Sequence, residues 1–328
     1  MKMETVTVVD GYVPVIDIST RAEGIGRAAL ADAIGTACAD SGFFVIVGHG
    51  VRPELIERMY SVTKEFFRLP DAEKNDVAHR PGVSGFRRFG GTTAQSLDQQ
   101  TPPDLCEAFG VHVTGDMSEV ERARLGDYSA TWQLANAWPS VPTAFKDTWH
   151  EYMTTMADLS ADLMRLFALA LELEEEYFDD KFANHVSSLV ANYYYPQVTE
   201  PLPGQLRRGA HTDFGGLTVL YQEDHLSGLQ VLHGSDQWRD VRAIPGSFVV
   251  NIGDLMALWT GGRWVSTMHR VVNPEHGDIS SRLSIPFFYQ PNHDAIVEPL
   301  PSTAPTDGSA PVIAGKWIAE KMAKLFST

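Results

Sequence analysis

The chain has 328 residues, 44% of them hydrophobic and 21% charged, enough for a large buried core in one large domain or two. Its formal net charge of −16 argues against a nucleic-acid partner and against an anionic membrane surface, both of which reward a basic face. Cys38 and Cys106 are too few for a disulfide framework, no apolar run approaches the ~20 residues of a membrane span, and Met1 to Glu4 leads into no signal-peptide core, so the expected location is cytoplasmic.

In chain order, Val13 to Ile18 alternates as a short strand. Gly26 to Asp40 is helical, with Leu30, Ile34 and Cys38 on one stripe and Gly42 placed as a stop. Phe43 to Val47 is a continuous apolar run of the kind buried on both faces. Leu55, Met59, Val62 and Phe66 mark another helix. The longest helix is predicted over Thr143 to Leu173, where Trp149, Tyr152, Met156, Leu159, Leu163, Leu166 and Ala170 recur at three- and four-residue steps. After Ser187 the pattern changes to short strands: Leu189 to Tyr195, Leu217 to Gln222, Leu229 to Leu232, Ser247 to Ile252, His269 to Val272 and Leu283 to Tyr289. From about Pro311 a last helix runs through Trp317 and Met322. Many short strands between Gly- and Pro-rich turns indicate a sandwich or barrel.

The strand-rich half carries the chemistry. In an extended segment residues i and i+2 share a face, so His211 and Asp213 of His211-Thr212-Asp213 can reach one ion. His269, 56 positions past the aspartate, must arrive from a neighbouring strand. Two imidazoles and one carboxylate on one side of a metal leave the other side open, as in non-haem Fe(II) oxygenases. Thirteen residues further, Arg282 and Ser284 form another i, i+2 pair, a cation and a hydroxyl suited to the carboxylate of a 2-oxo acid. One His-x-Asp among 11 histidines carries little. The ordered set of His-x-Asp, distant His and Arg-x-Ser carries much more.

With these motifs on view, the chain resembles the Fe(II)/2-oxoglutarate-dependent dioxygenases, in the branch of isopenicillin N synthase and the plant flavonoid and gibberellin oxidases. The resemblance runs through Val13-Pro14-Val15-Ile16-Asp17, Ser41 to Val51, Phe66 to Pro70 with Glu73-Lys74, Gly85-Phe86-Arg87, and Asp104 and Glu107 with Phe109. It continues through Tyr194-Tyr195-Pro196, His211 to Leu220, Gly228 to Val231, Asn251 to Asp254, His269-Arg270-Val271 and Arg282 to Phe288. It implies an α+β fold, a double-stranded β-helix (jelly roll) core flanked by helices. Residues 1–180 would be a helix-rich region packing on the core, 181–300 the catalytic jelly roll, and 301–328 a C-terminal tail and helix. It also implies His211, Asp213 and His269 as iron ligands, Arg282 and Ser284 as the clamp on the distal carboxylate of 2-oxoglutarate, and Tyr195 as a tyrosine assisting them. Plant members have Asn two residues before that tyrosine, where this chain has Tyr193, so a differently shaped cosubstrate pocket is expected. The intact Asp213 disfavours halogenation, which needs the carboxylate's position on the metal.

The implied reaction couples oxidative decarboxylation of 2-oxoglutarate by Fe(II) and O2, giving succinate and CO2, to hydroxylation, desaturation or ring closure of a small organic substrate. Candidate substrate residues are Arg88, Tyr193, Phe214 and Tyr289; Arg87 and Arg88, with Phe86 and Phe89, lie in a Gly-rich segment suited to an anionic group. Against these stands the ordinary role of such residues, surface arginines and strand aromatics in the core. A 2-oxoglutarate-independent oxidase of the isopenicillin N synthase type keeps an Arg-x-Ser pair and stays open, as does, more remotely, a catalytically silent binding protein.

Overall fold

The two sequence patterns become two kinds of layer. The computed structural model describes residues 8–9, 11–21, 24–91, 102–124, 134–224, 228–275, 278, 280–300 and 310–326; Met1 to Glu4 lies outside them. The first half comprises β1 (Val8–Val9), β2 (Val15–Asp17), α1 (Gly24–Asp40), β3 (Phe43–Val47), α2 (Pro53–Phe67), α3 (Asp71–Asp76), β4 (Val83–Ser84), β5 (Phe86–Arg87), β6 (Glu107–His112), α4 (Glu119–Ala123), β7 (Ala135–Asn136) and α5 (Phe145–Ala170). Then follow α6 (Asp179–Phe182), β8 (Ser188–Tyr194), β9 (Arg208–His211), β10 (Leu217–Gln222), β11 (Leu229–His233), β12 (Gln237–Asp240) and β13 (Phe248–Ile252). The chain ends with α7 (Asp254–Trp259), β14 (His269–Val271), β15 (Arg282–Tyr289), β16 (Ile296–Val297), β17 (Val312–Ile313) and α8 (Ala314–Phe326).

Local chemistry explains the main elements. Gly42, at φ +70°, makes the turn from α1 into β3, and a Cβ there would lie 2.0 Å from the Val265 carbonyl oxygen. Pro53 starts α2, where a missing N–H costs nothing. The stripe predicted for the longest helix is buried, from Trp149 to Ala170. That helix stops at Ala170 rather than Leu173, because Glu172 turns into the left-handed region at φ 60°. Strand β6 went unpredicted: Glu107 opens it and Gly110 interrupts it, yet all six of its residues are buried.

A nine-stranded sheet runs β1-β2-β3-β13-β10-β15-β8-β6-β5, and a four-stranded sheet runs β12-β11-β14-β9. The jelly roll is the space between them. Phe43, Val45, Cys106, Tyr194, Leu229, Val231, Val249 and Val271 pack inside it. The other face of the large sheet lies under α1, α2 and α5, where Ile34, Phe66, Trp149, Tyr152, Phe109, Tyr193, Val219 and Phe287 join a larger core. Strands β3 and β6 come from the first 180 residues but are central to this sheet.

Because side chains alternate along a strand, each central strand feeds both spaces. On β15, Arg282, Ser284, Pro286 and Phe288 line the jelly-roll cavity, whereas Leu283, Ile285, Phe287 and Tyr289 enter the helix-side core. On β8, Asn192 and Tyr194 face the cavity while Leu189, Ala191 and Tyr193 face the helices. The registers align these faces: Ser284 lies opposite Asn192 and Gln222, and Arg282 opposite Tyr194.

Candidate metal centre and anion pocket

His211 closes β9, and its direct neighbour across the small sheet is His269 of β14. The imidazole centroids are 4.2 Å apart. Asp213 follows two residues after His211; its Oδ1 lies 3.9 Å from His211 Nε2 and 3.8 Å from His269 Nε2. The three donor atoms fall within 4.8 Å of one another, a span one metal ion can bridge.

Each ligand is oriented by a partner behind it. His211 Nδ1 lies 2.8 Å from the Gly209 carbonyl, and His269 Nδ1 lies 3.1 Å from that of Thr267. A ring nitrogen beside a carbonyl carries the proton, so both Nε2 lone pairs are presented toward Asp213. Asp213 Oδ2 accepts hydrogen bonds from Thr218 Oγ1 at 2.6 Å and Asn251 Nδ2 at 2.8 Å, leaving Oδ1 for the histidines' side. Phe43 packs edge-on against His269, with centroids 5.2 Å apart. Burial pushes the His211 imidazole down to about 3, helped by the adjacent His269 ring and the Arg208 guanidinium. Burial alone would raise the Asp213 carboxyl, but the two histidines and the Asn251 and Thr218 hydrogen bonds hold it below its ordinary value. A neutral imidazole beside a carboxylate is the protonation state a metal requires.

Further along β15, in the same cavity, Arg282 is 1% exposed. Its Nη2 reaches Gln222 Oε1 only at 3.4 Å, and Nε and Nη1 have no partner among the described residues. Its guanidinium lies 5.3 Å from the centroid of the Tyr194 ring, which lines the same cavity with Ser284. A buried guanidinium with unused donors is costly unless an anion joins it. Arg208, from the opposite sheet, also lines the cavity and is paired with the buried Asp104 at 3.1 Å.

The structure thus gathers five of the sequence-derived candidates, His211, Asp213, His269, Arg282 and Ser284, around one cavity. The other five, Tyr195, Tyr193, Tyr289, Phe214 and Arg88, are not among the residues lining that cavity. Tyr195 lies beyond the end of β8 and turns to the helix side, where its hydroxyl donates to Glu107 Oε2 at 2.7 Å and accepts from Lys74 at 3.1 Å. The tyrosine in the cavity is Tyr194, and Asn192 stands two residues before it, so the expected departure at Tyr193 disappears. Tyr193 stacks on Phe67 at 5.2 Å and Tyr289 on Phe182 at 4.7 Å, both in the helix-side core because of their place in the alternation. Phe214, adjacent to Asp213, faces away toward α8, with the Lys321 ammonium 5.8 Å from its ring centroid. Arg88 is exposed, and its neighbour Arg87 takes the inward position in register with Ala108. Thr218, Asn251, Gln222 and Arg208 went unrecognised as site residues; for the first three the signal was the alternation on β10 and β13.

Comparison with known proteins points the same way. Residues 13–140 match a family model described as the non-haem dioxygenase in morphine synthesis N-terminal domain, and residues 186–291 match the 2OG-Fe(II) oxygenase superfamily. A homoarginine-6-hydroxylase of Arabidopsis thaliana is 35% identical over 303 residues, covering 88% of this chain and 87% of its own. A validamycin A dioxygenase of Streptomyces hygroscopicus subsp. limoneus is 33% identical over 311 residues, covering 92% and 82% respectively. The crystal structure of full-length Neurospora crassa T7H with alpha-KG and thymine superposes with a TM-score of 0.82 at 26% identity, over 98% of this chain and 100% of that one.

Proposed function

The chain belongs to the 2OG-Fe(II) oxygenase superfamily, and from that premise we propose how its own residues serve the reaction and what it acts on. It is an Fe(II)- and 2-oxoglutarate-dependent dioxygenase. One observation carries the assignment of residues: the converging donors of His211, Asp213 and His269 share a cavity with a buried guanidinium that has unused N–H groups. Both halves fit their ligands. Two imidazoles and a carboxylate on one side suit Fe(II) and leave its other positions for cosubstrate and dioxygen, and Arg282 with Ser284 and Tyr194 suits a carboxylate.

His211, Asp213 and His269 would hold Fe(II), and Arg282, Ser284 and Tyr194 the distal carboxylate of 2-oxoglutarate. When bound, iron and 2-oxoglutarate would together activate dioxygen, the oxidant, one oxygen atom going to succinate with loss of CO2 and the other being available to oxidise the substrate. The protein's part is to fix geometry and exclude water. Thr218 and Asn251 keep Asp213 from rotating, the Gly209 and Thr267 carbonyls keep both imidazoles in one tautomer, and Phe43, Leu229 and Val271 keep the cavity wall apolar. Catalytic residues in this reading occupy the 181–300 core, which borrows β3 and β6 from the first 180 residues, while 301–328 adds the tail and α8.

The substrate is a small organic molecule, and hydroxylation is the favoured outcome, since the similar homoarginine-6-hydroxylases are hydroxylases by name. We place the chain in the isopenicillin N synthase-like branch and in the cytoplasm, with no nucleic-acid or membrane partner. The charge of −16 supports the exclusion of nucleic acid and anionic membranes; no helix among the described residues is long and apolar enough to cross a membrane. The test is an anaerobic titration of 2-oxoglutarate into Fe(II)-loaded protein, followed by the visible charge-transfer band of the chelate. A band in wild type that weakens in Arg282→Ala at equal 2-oxoglutarate supports the reading. Bound iron without a band turns it toward a 2-oxoglutarate-independent oxidase.

A further inference from the structure

Asp254 is the point at which both ligand-bearing segments meet. Its backbone N–H donates to the carbonyl of Asp213 at 2.8 Å, beside parallel bonds from Gly253 to Gly216 (3.0 Å) and from Leu255 to Gly215 (3.1 Å). Its Oδ1 accepts from Ser266 Oγ at 2.8 Å. The next residue, Thr267, provides the carbonyl that orients the His269 ring. One residue therefore ties the Asp213 loop, through its backbone N–H, to the approach to His269, through its side chain.

The other oxygen, Oδ2, accepts from Lys321 Nζ of α8 at 3.0 Å, with the two side chains 15% and 34% exposed. Helix α8 is carried to this place by the β16–β17 pair and by hydrogen bonds from Ala314 to Ala295 and from Gly315 to His293. The Lys321 ammonium also lies 4.8 Å from the Trp317 ring centroid, and the Phe214 ring lies on its other side. Lys321 is thus held by contacts on its own helix and on the Asp213 loop. A carboxylate with both oxygens engaged cannot turn away from Ser266 without losing a charge-assisted bond.

We propose that α8 is a working part of the metal centre, with Lys321 and Asp254 as positioning residues that hold the two ligand-bearing segments at the spacing Fe(II) requires. This rests on the assignment of His211, Asp213 and His269 as ligands. It goes further, in making metal affinity depend on a helix that contributes no ligand.

The experiment is an anaerobic determination of the Fe(II) dissociation constant, with Fe(II) alone as probe, on wild type, Lys321→Met, Lys321→Arg and Ser266→Ala, each checked by circular dichroism. Lys321→Met and Ser266→Ala are expected to weaken Fe(II) by roughly tenfold, the low end for residues that orient ligands, and Lys321→Arg to stay within about twofold of wild type because it keeps the charge. A folded Lys321→Met that binds Fe(II) like wild type overturns the proposal, as does a Lys321→Arg as weak as Lys321→Met. If Lys321→Met does not fold, Ser266→Ala, which leaves the ion pair intact, decides by the same criterion. Wild type that binds no Fe(II) removes the ligand assignment itself, so the two failures are distinguishable.

Discussion

The two faces of the nine-stranded sheet differ in how their polar groups are satisfied. On the helix side, Lys74 and Glu107 are buried together at 2.8 Å, and the Tyr195 hydroxyl bonds to both. Burial alone would lower the Lys74 pKa, but its bonds to Glu107, Tyr195 and Asp71 hold it above its ordinary value. On the cavity side, Arg282 is also buried yet keeps two nitrogens, Nε and Nη1, without a partner among the described residues. A buried charge that finds its counter-charge within the chain belongs to the fold, and one that does not is provided for a ligand.

Substitutions can break that comparison. The largest effect is expected at the metal donors: His211→Ala or Asp213→Ala removes iron-dependent turnover while the melting temperature stays close to wild type. A variant with normal succinate release would sink the ligand assignment. Next comes a crossed pair. Arg282→Met should weaken 2-oxoglutarate by ~10²- to 10³-fold, the value of two charge-assisted hydrogen bonds, without loss of stability. Glu107→Ala, which strands Lys74, should cost about 3–5 kcal/mol of stability while the folded protein binds 2-oxoglutarate normally. Calorimetry and denaturant unfolding on both variants test this, and equal stability losses would erase the distinction.

A third effect concerns His112, which lies in register on the cavity face of β6. Burial, then the charges of Arg87 and His79, push its imidazole from 6.5 down to about 4. The unfolded chain therefore takes up this proton first, so the contribution is complete above pH 6.5 and is lost as pH falls to about 4. The loss is ~3 kcal/mol at 1.36 kcal/mol per unit. Urea midpoints at pH 7 and pH 4.5 should differ less in His112→Gln than in wild type; an identical difference would count against the assignment.

The smallest effects sharpen the comparison most. Tyr194→Phe should raise the KM for 2-oxoglutarate severalfold with little change in melting. Tyr195→Phe should lower stability by about 2 kcal/mol, the value of the two hydrogen bonds its hydroxyl makes to Glu107 and Lys74, with KM unchanged. The reverse pattern would return Tyr195 to the cosubstrate.

That last pair shows where sequence reading stops. His211, Asp213, Arg282 and Ser284 were legible because each pair sits two apart on an extended segment, a spacing that places both members on one face whichever face it is. Tyr193, Tyr194 and Tyr195 are chemically identical, and only the pairing register assigns them to a face; a slip of one residue reverses every choice. The same ambiguity placed Tyr289 in the substrate pocket. The strand run from Leu189 onward was readable from its apolar residues, but β6 was not, since Glu107 belongs in a strand only when Lys74 is there to meet it. The role of Lys321 depends on a contact across 67 positions, which no local pattern records.

The unpaired donors of Arg282 have a further consequence. Any anion that fills them binds the native chain and not the unfolded one, so it raises stability in proportion to the logarithm of its concentration. If 2-oxoglutarate is that anion, as proposed above, the cosubstrate also stabilises the fold, and the melting temperature should rise with its concentration in wild type and not in Arg282→Met.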